Sequence, residues 1–106
     1  MHPQKILRIL QELDDAGREI QPEDVELVSA LTIFFRKTLM TPKVLLKHQI
    51  DIKKLEEDVT DLEHAISAEF TFRTFVGEQE REGIDFNHYK PEILSLLRVY
   101  QRLYSY

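Results

Sequence analysis

The sequence predicts an all-α fold, a small four-helix bundle-like domain organised around one long helix. Three observations predict it. Apolar residues recur at spacings of three and four over most of the chain, the period of a helix with one buried face. All four prolines, Pro3, Pro22, Pro42 and Pro91, stand at the head of such a stretch, where a missing amide donor costs nothing. From Leu45 to Ile66 the spacing tightens into the three-four alternation of a heptad seam. At 106 residues, with 42% hydrophobic and 31% charged side chains and only 3 Gly, the chain has the composition of one globular domain, 1–106.

The first helix is expected over about 3–16, with Ile6, Ile9, Leu10 and Leu13 as one stripe and Gly17 as a left-handed stop. The second runs from Pro22 to about residue 40. Glu23, Asp24 and Glu26 place negative charge at its amino end and Arg36 and Lys37 place positive charge near the other, as the helix dipole favours. Val25, Val28, Leu31, Phe35 and Leu39 form its main face, widened by Leu27 and Phe34.

Thr41-Pro42 is the sharpest boundary, since a Thr side chain can accept from first-turn amides and Pro tolerates the next position. A third, long helix is expected to start there as one amphipathic rod, with Leu45, His48, Ile52, Leu55, Val59, Leu62 and Ile66 as its seam and Glu69 at the last seam position, where we expect the seam to end. His48 is then a hydrogen-bonded core imidazole. Beyond Ile66, Phe70, Thr71, Phe72, Thr74, Phe75 and Val76 are of types that favour strands, so 70–76 reads as helix or strand. Gly77 to Gly83 is a polar connector, and Pro91 opens a last, largely buried helix through Tyr104.

Charge separates into blocks around a net −5. Residues 12–26 hold seven acids and Arg18; residues 36–54 hold six bases and Asp51; residues 56–69 hold six acids and no base; residues 93–106 hold Arg98 and Arg102 and no acid. The net charge opposes direct nucleic-acid binding, and the longest apolar run is three residues, so no membrane span or signal-peptide core is expected and a cytoplasmic location is. Acids flank the seam at Asp51, Glu56, Asp58 and Glu63. A symmetric two-stranded pairing would set acid against acid, so the seam is expected to be covered by the second and last helices of its own chain, leaving homodimerisation to some other face.

No catalytic constellation emerges. Zero Cys removes thiolate chemistry, the three glycines are too scattered to cradle a phosphate, and Ser29, Ser67, Ser95 and Ser105 lack a nucleophile-elbow context. Asp61 and His64 share a helix face but point away from the seam, so no metal and no cofactor is expected. A small helical enzyme built on converging Arg36, Arg73 and Arg98 is a minor alternative. The expected function is a non-catalytic protein-binding domain, an adaptor, regulator or inhibitor. Its candidate contact residues are Phe70, Phe72, Phe75, Arg98, Arg102, Tyr104 and Tyr106, the types enriched in interface hot spots. The alternative is an acidic nucleic-acid mimic whose carboxylates, Glu56, Glu57, Asp58, Asp61 and Glu63, would occupy a basic groove on a nuclease or nucleic-acid-binding protein.

Overall fold

The computed structural model describes residues 3–76 and 84–104, with side chains for all of these except 71–76. Among them the regular structure is entirely helical: α1 (Pro3–Asp14), α2 (Val25–Met40), α3 (Lys43–Lys47), α4 (Ile52–Val76) and α5 (Lys90–Leu103), with single 3-10 turns at Pro22–Asp24 and Phe86–Tyr89. The four long helices and the organising role of the longest are as the hydrophobic periodicity predicts.

The stripe of α1 buries Ile6, Leu10 and Leu13. The helix is left at Gly17, whose φ of 69° is the left-handed value glycine adopts without penalty, and the Arg18 amide then donates back to the Glu12 carbonyl at 3.0 Å. Ile20 is buried just beyond, and Asn87 clamps it from both sides: its Oδ1 accepts from the Ile20 amide at 2.7 Å and its Nδ2 donates to the Ile20 carbonyl at 3.3 Å. The connection into α2 is thereby fixed to the turn that leads into α5. Asp85 caps that turn by accepting from the Asn87 amide and side chain, which holds its carboxyl below the usual carboxylate range.

The rod expected after Thr41 is broken, and the break has a definite geometry. Thr41 ends α2, with its amide donating to the Thr38 carbonyl, and does not cap the next helix. The short α3 closes in a Schellman motif: the Ile50 amide donates to the Leu45 carbonyl at 2.9 Å, and the Gln49 amide donates to the Leu46 carbonyl at 3.0 Å. Gln49, at φ 58°, holds the left-handed position usually given to Gly or Asn. Asp51 then caps α4 by accepting from the Lys54 amide at 3.1 Å, and Leu45, Ile50 and Leu55 are all buried around this corner. His48 therefore leaves the seam. It sits half-buried at the end of α3, and its carbonyl accepts from Arg102 Nη2 at 2.6 Å.

Past the corner the seam behaves as its spacing predicts. Leu55, Val59 and Leu62 are buried, Ile52 and Ile66 are half-buried, and Ala65 joins them. Segment 70–76 continues as helix, because an established 25-residue helix overrides the local strand preference of its last two turns. Nor does the seam end before Glu69. That residue is buried, and its carboxylate accepts from the Ile84 amide at 2.6 Å, which compensates its charge.

The pairings fix the topology. Arg36 on α2 meets Thr60 and Glu63 on α4, Glu69 meets Ile84, and Arg102 meets His48, so α4 runs antiparallel to both α2 and α5. The first turns of α1 lie beside Tyr100 and Tyr104, so α1 is antiparallel to α5 as well. The seam is thus covered by α2 and α5 of the same chain, and α5 packs against α1, α2 and α4, which accounts for its four buried side chains, Ile93, Leu96, Leu97 and Tyr100.

Two outcomes follow. Leu62→Asp places an unpaired carboxylate in a fully buried site at a cost of roughly 3 to 5 kcal/mol, comparable to the whole stability of a small domain; circular dichroism should show loss of helix and of a cooperative melt. Gln49→Gly relieves a left-handed side chain, and thermal denaturation should show a gain of about 1 kcal/mol or less, a rise of a few degrees.

Candidate functional site

Antiparallel packing gathers the basic residues of 36–47 at one end of the molecule, where Asp51, Glu56 and Glu57 also lie at the head of α4, and the acids of 12–26 at the other. The start of α1, the end of α2, α3, the corner and the end of α5 come together at one end. Residues 27–50 and 93–104, which supply most of it, contain six Lys and Arg and no acid. At the other end lie the acids that close α1 and open α2. There Arg18 is held between Glu12 at 3.1 Å and Asp24 at 2.9 Å, and its hydrogen bond to Asp24 raises its proton affinity above that of free arginine.

At the basic end a groove of about 500 Å³ opens between the last turns of α2 and α5 and the start of α3. Phe34, Thr38, Thr41, Val44, Leu103 and Tyr104 line it, with Lys37 at its edge. Its floor is aromatic. Phe34 meets Phe35 and Tyr100 edge-on at centroid distances of 5.0 and 5.2 Å, and Tyr104 stacks on Tyr100 at 4.6 Å. Burial, with Tyr104 alongside, raises the proton affinity of the Tyr100 phenol, so this floor is neutral at physiological pH. The hydroxyl of Thr38 donates to the Phe34 carbonyl one turn back, leaving its methyl group as the surface it offers. Tyr104 is also one wall of a smaller cleft of about 220 Å³, formed with Pro3, Gln4, Ile6 and Leu7 of α1. Val44 in the groove is 48% exposed, and on α2 and α3 Met40 and Leu46 are 77% and 62% exposed.

The predicted contact residues are dispersed. Tyr104 lies at the groove. Arg98 is tied to Asp14 at 2.9 Å and braces α5 against α1, while Arg102 is the ligand of the His48 carbonyl. Phe70 is exposed on α4, far along that helix from the groove. The side chains of Phe72 and Phe75, and Tyr106 as a whole, lie outside the described residues. The predicted acidic face is also incomplete. Asp58 is buried and paired with Lys54 at 3.0 Å; Glu63 is paired with Arg36 at 2.6 Å, a hydrogen bond that raises the proton affinity of Arg36. Glu56, Glu57 and Asp61 remain exposed, and they share their strip with Lys53 and Thr60.

Helical periodicity places Phe34 on a core face and does not single out the groove residue Val44 or the exposed Met40 and Leu46. A signal was available: three consecutive apolar residues, Val44-Leu45-Leu46, sweep about 200° around a helix, and one core cannot cover all three. Among the described residues no group of three His, Asp or Glu is placed to hold a metal ion, and no helix is long and apolar enough to cross a membrane. No family model, curated protein or solved structure matches the chain. The class of protein that the fold and this end define is therefore an all-α helical bundle bearing a cationic, aromatic-floored groove.

Tyr104→Ala removes the stacked partner of Tyr100 and merges groove and cleft. It should cost about 1 kcal/mol in denaturant unfolding and lower the Tyr100 phenol toward an ordinary tyrosine value, read as an earlier rise in ultraviolet absorbance on alkaline titration.

Proposed function

We propose that this is a non-catalytic protein-binding domain and that the groove beside Tyr104 is its docking surface. A single observation carries the reading: Val44 stands exposed in one concave, aromatic-floored site, and Met40 and Leu46, on two of the helices that form it, are exposed as well. Scattered exposed apolar residues need no explanation, but a cluster rimmed by polar groups is characteristic of interaction sites. Its volume falls in the range of pockets that accept side chains of a partner, and stacked tyrosines offer rigid, amphipathic contact area of the kind found in hot spots. The threonine and lysine at its edges can satisfy polar groups of an incoming chain.

The acidic-mimic reading has thinner support. A mimic needs a row of carboxylates held toward solvent, and two of the five candidates spend their charge on Lys54 and Arg36. The three that remain have a lysine among them. A small helical enzyme built on converging arginines has none either, since Arg36 and Arg98 pair with carboxylates on different helices, α4 and α1.

Selection of binders from a displayed peptide library against the intact domain tests the proposal. Selected peptides should lose at least about tenfold in affinity, 1.4 kcal/mol, toward the double variant Met40→Glu/Leu46→Glu and keep their affinity for Glu56→Gln/Glu57→Gln/Asp61→Asn. Both variants change only exposed positions, so helix content should be unaltered. Binders indifferent to the first variant and abolished by the second would transfer the function to the acidic strip; failure to select any binder would count against docking at either.

A further inference from the structure

The lysines around the groove differ from four cations along the bundle. Arg18, Arg36, Lys54 and Arg98 each have a carboxylate partner within the chain. Lys37, Lys43 and Lys47 have none among the described residues, and all three are exposed on α2 and α3. Lys37 lines it, while Lys43 and Lys47 lie one residue before and three residues after Val44, which also lines it. Lys5 and Arg8, likewise unpaired, lie on the α1 segment that forms the neighbouring cleft. The nearest acid in sequence, Asp51, is engaged at the head of α4. A molecule with net charge −5 thus carries unpaired positive charge on the same two helices, α2 and α3, as the exposed Met40, Val44 and Leu46.

From this juxtaposition we propose that the occupant of the groove is an acidic amphipathic helix of a partner protein, with two or three large apolar side chains entering between Phe34, Val44 and Tyr104 and carboxylates reaching Lys37, Lys43 and Lys47. The inference rests on the groove being a protein-docking surface and adds the chemistry of the partner. Complementary charge selects and steers such a partner, while the apolar anchors supply most of the affinity. A membrane surface is the poorer fit: a flat anionic bilayer would meet a concave site, and the net negative charge of the chain opposes it at long range. The acidic end of a second copy is poorer too, because its carboxylates around Arg18 accompany no matching row of exposed large apolar residues.

The test uses the full chain and three fluorescein-labelled synthetic peptides of about four helical turns. They carry Leu and Phe at i, i+4 and i+7 and Glu, Gln or Lys at the flanking positions. Fluorescence anisotropy should show the Glu peptide binding at least tenfold more tightly than the Lys peptide at low salt, with Gln between and the gap closing as salt is added. Amide shifts on binding should fall on residues 34–47 and 100–104. Lys37→Glu/Lys43→Glu/Lys47→Glu should invert the preference toward the Lys peptide, and its circular dichroism checks that the fold is kept. Equal binding of the three peptides, with shifts still in the groove, overturns the acidic preference and leaves the docking surface standing. No shift in the groove with any peptide, together with indifference to Met40→Glu/Leu46→Glu, overturns both. Recruitment to phosphatidylserine vesicles but not to the Glu peptide makes the partner a membrane, and concentration-dependent self-association lost in the triple lysine variant makes it a second copy; either result overturns the proposal.

Discussion

The left-handed turn at Gln49, locked by the Schellman hydrogen bonds behind it and the Asp51 cap ahead of it, sets the direction in which α3 crosses the end of the bundle. Had the chain run from Pro42 as one rod, Val44 and Leu46 would have lain along a helix flank, and Leu45 and Ile50 would not both have turned inward. The corner buries that pair, with Leu55 beside them. Burial of two or three such side chains contributes several kcal/mol at roughly 1.5 to 3 each, more than the 1 to 2 that a left-handed non-glycine residue costs. Hydrophobic closure therefore dictates a backbone conformation that glutamine would not choose, and the same closure pushes the other face of α3 into solvent beside Tyr104.

The fold in turn explains why charge blocks that are separate in sequence act as two poles. Alternating helix directions bring the basic end of α2 next to α3 and the acid-free last turns of α5, while the acids of residues 12–26 gather at the opposite end around Arg18. These pairs are partly exposed and each is worth about 1 kcal/mol or less. What the ion pairs do accomplish is selective: they neutralise Arg18, Arg36, Lys54 and Arg98 and, among the described residues, leave Lys37, Lys43 and Lys47 without a carboxylate.

Much of the architecture was legible in the sequence, because the three-four spacing of Leu55, Val59 and Leu62 and the prolines at helix starts depend only on local geometry and on one buried face. Coverage of the seam by the same chain was legible as well, from the acids at its flanks. The corner was not, since its left-handed residue is Gln and carries no turn signature. The burial of Glu69 was not legible for a related reason: one of its partners is a backbone amide, Ile84, fifteen residues away and invisible to side-chain pattern. The groove was hidden by the corner. A continuous seam through His48 gives Val44 no role, and of the groove residues only Tyr104 is a candidate contact residue in the sequence.

Between the two charged surfaces, the basic end has the better claim to recognition on physical grounds. Exposed carboxylates are strongly hydrated, and a strip of three with an interleaved lysine offers no desolvated anchor that would make binding selective. The groove offers apolar area whose removal from water is favourable whatever the salt, with lysines at its rim where charge alters encounter rate and partner choice at small desolvation cost. An interface confined to one groove of this size would be small by the standard of permanent complexes and would belong among reversible contacts, where electrostatic steering has the greatest leverage over which partner is held.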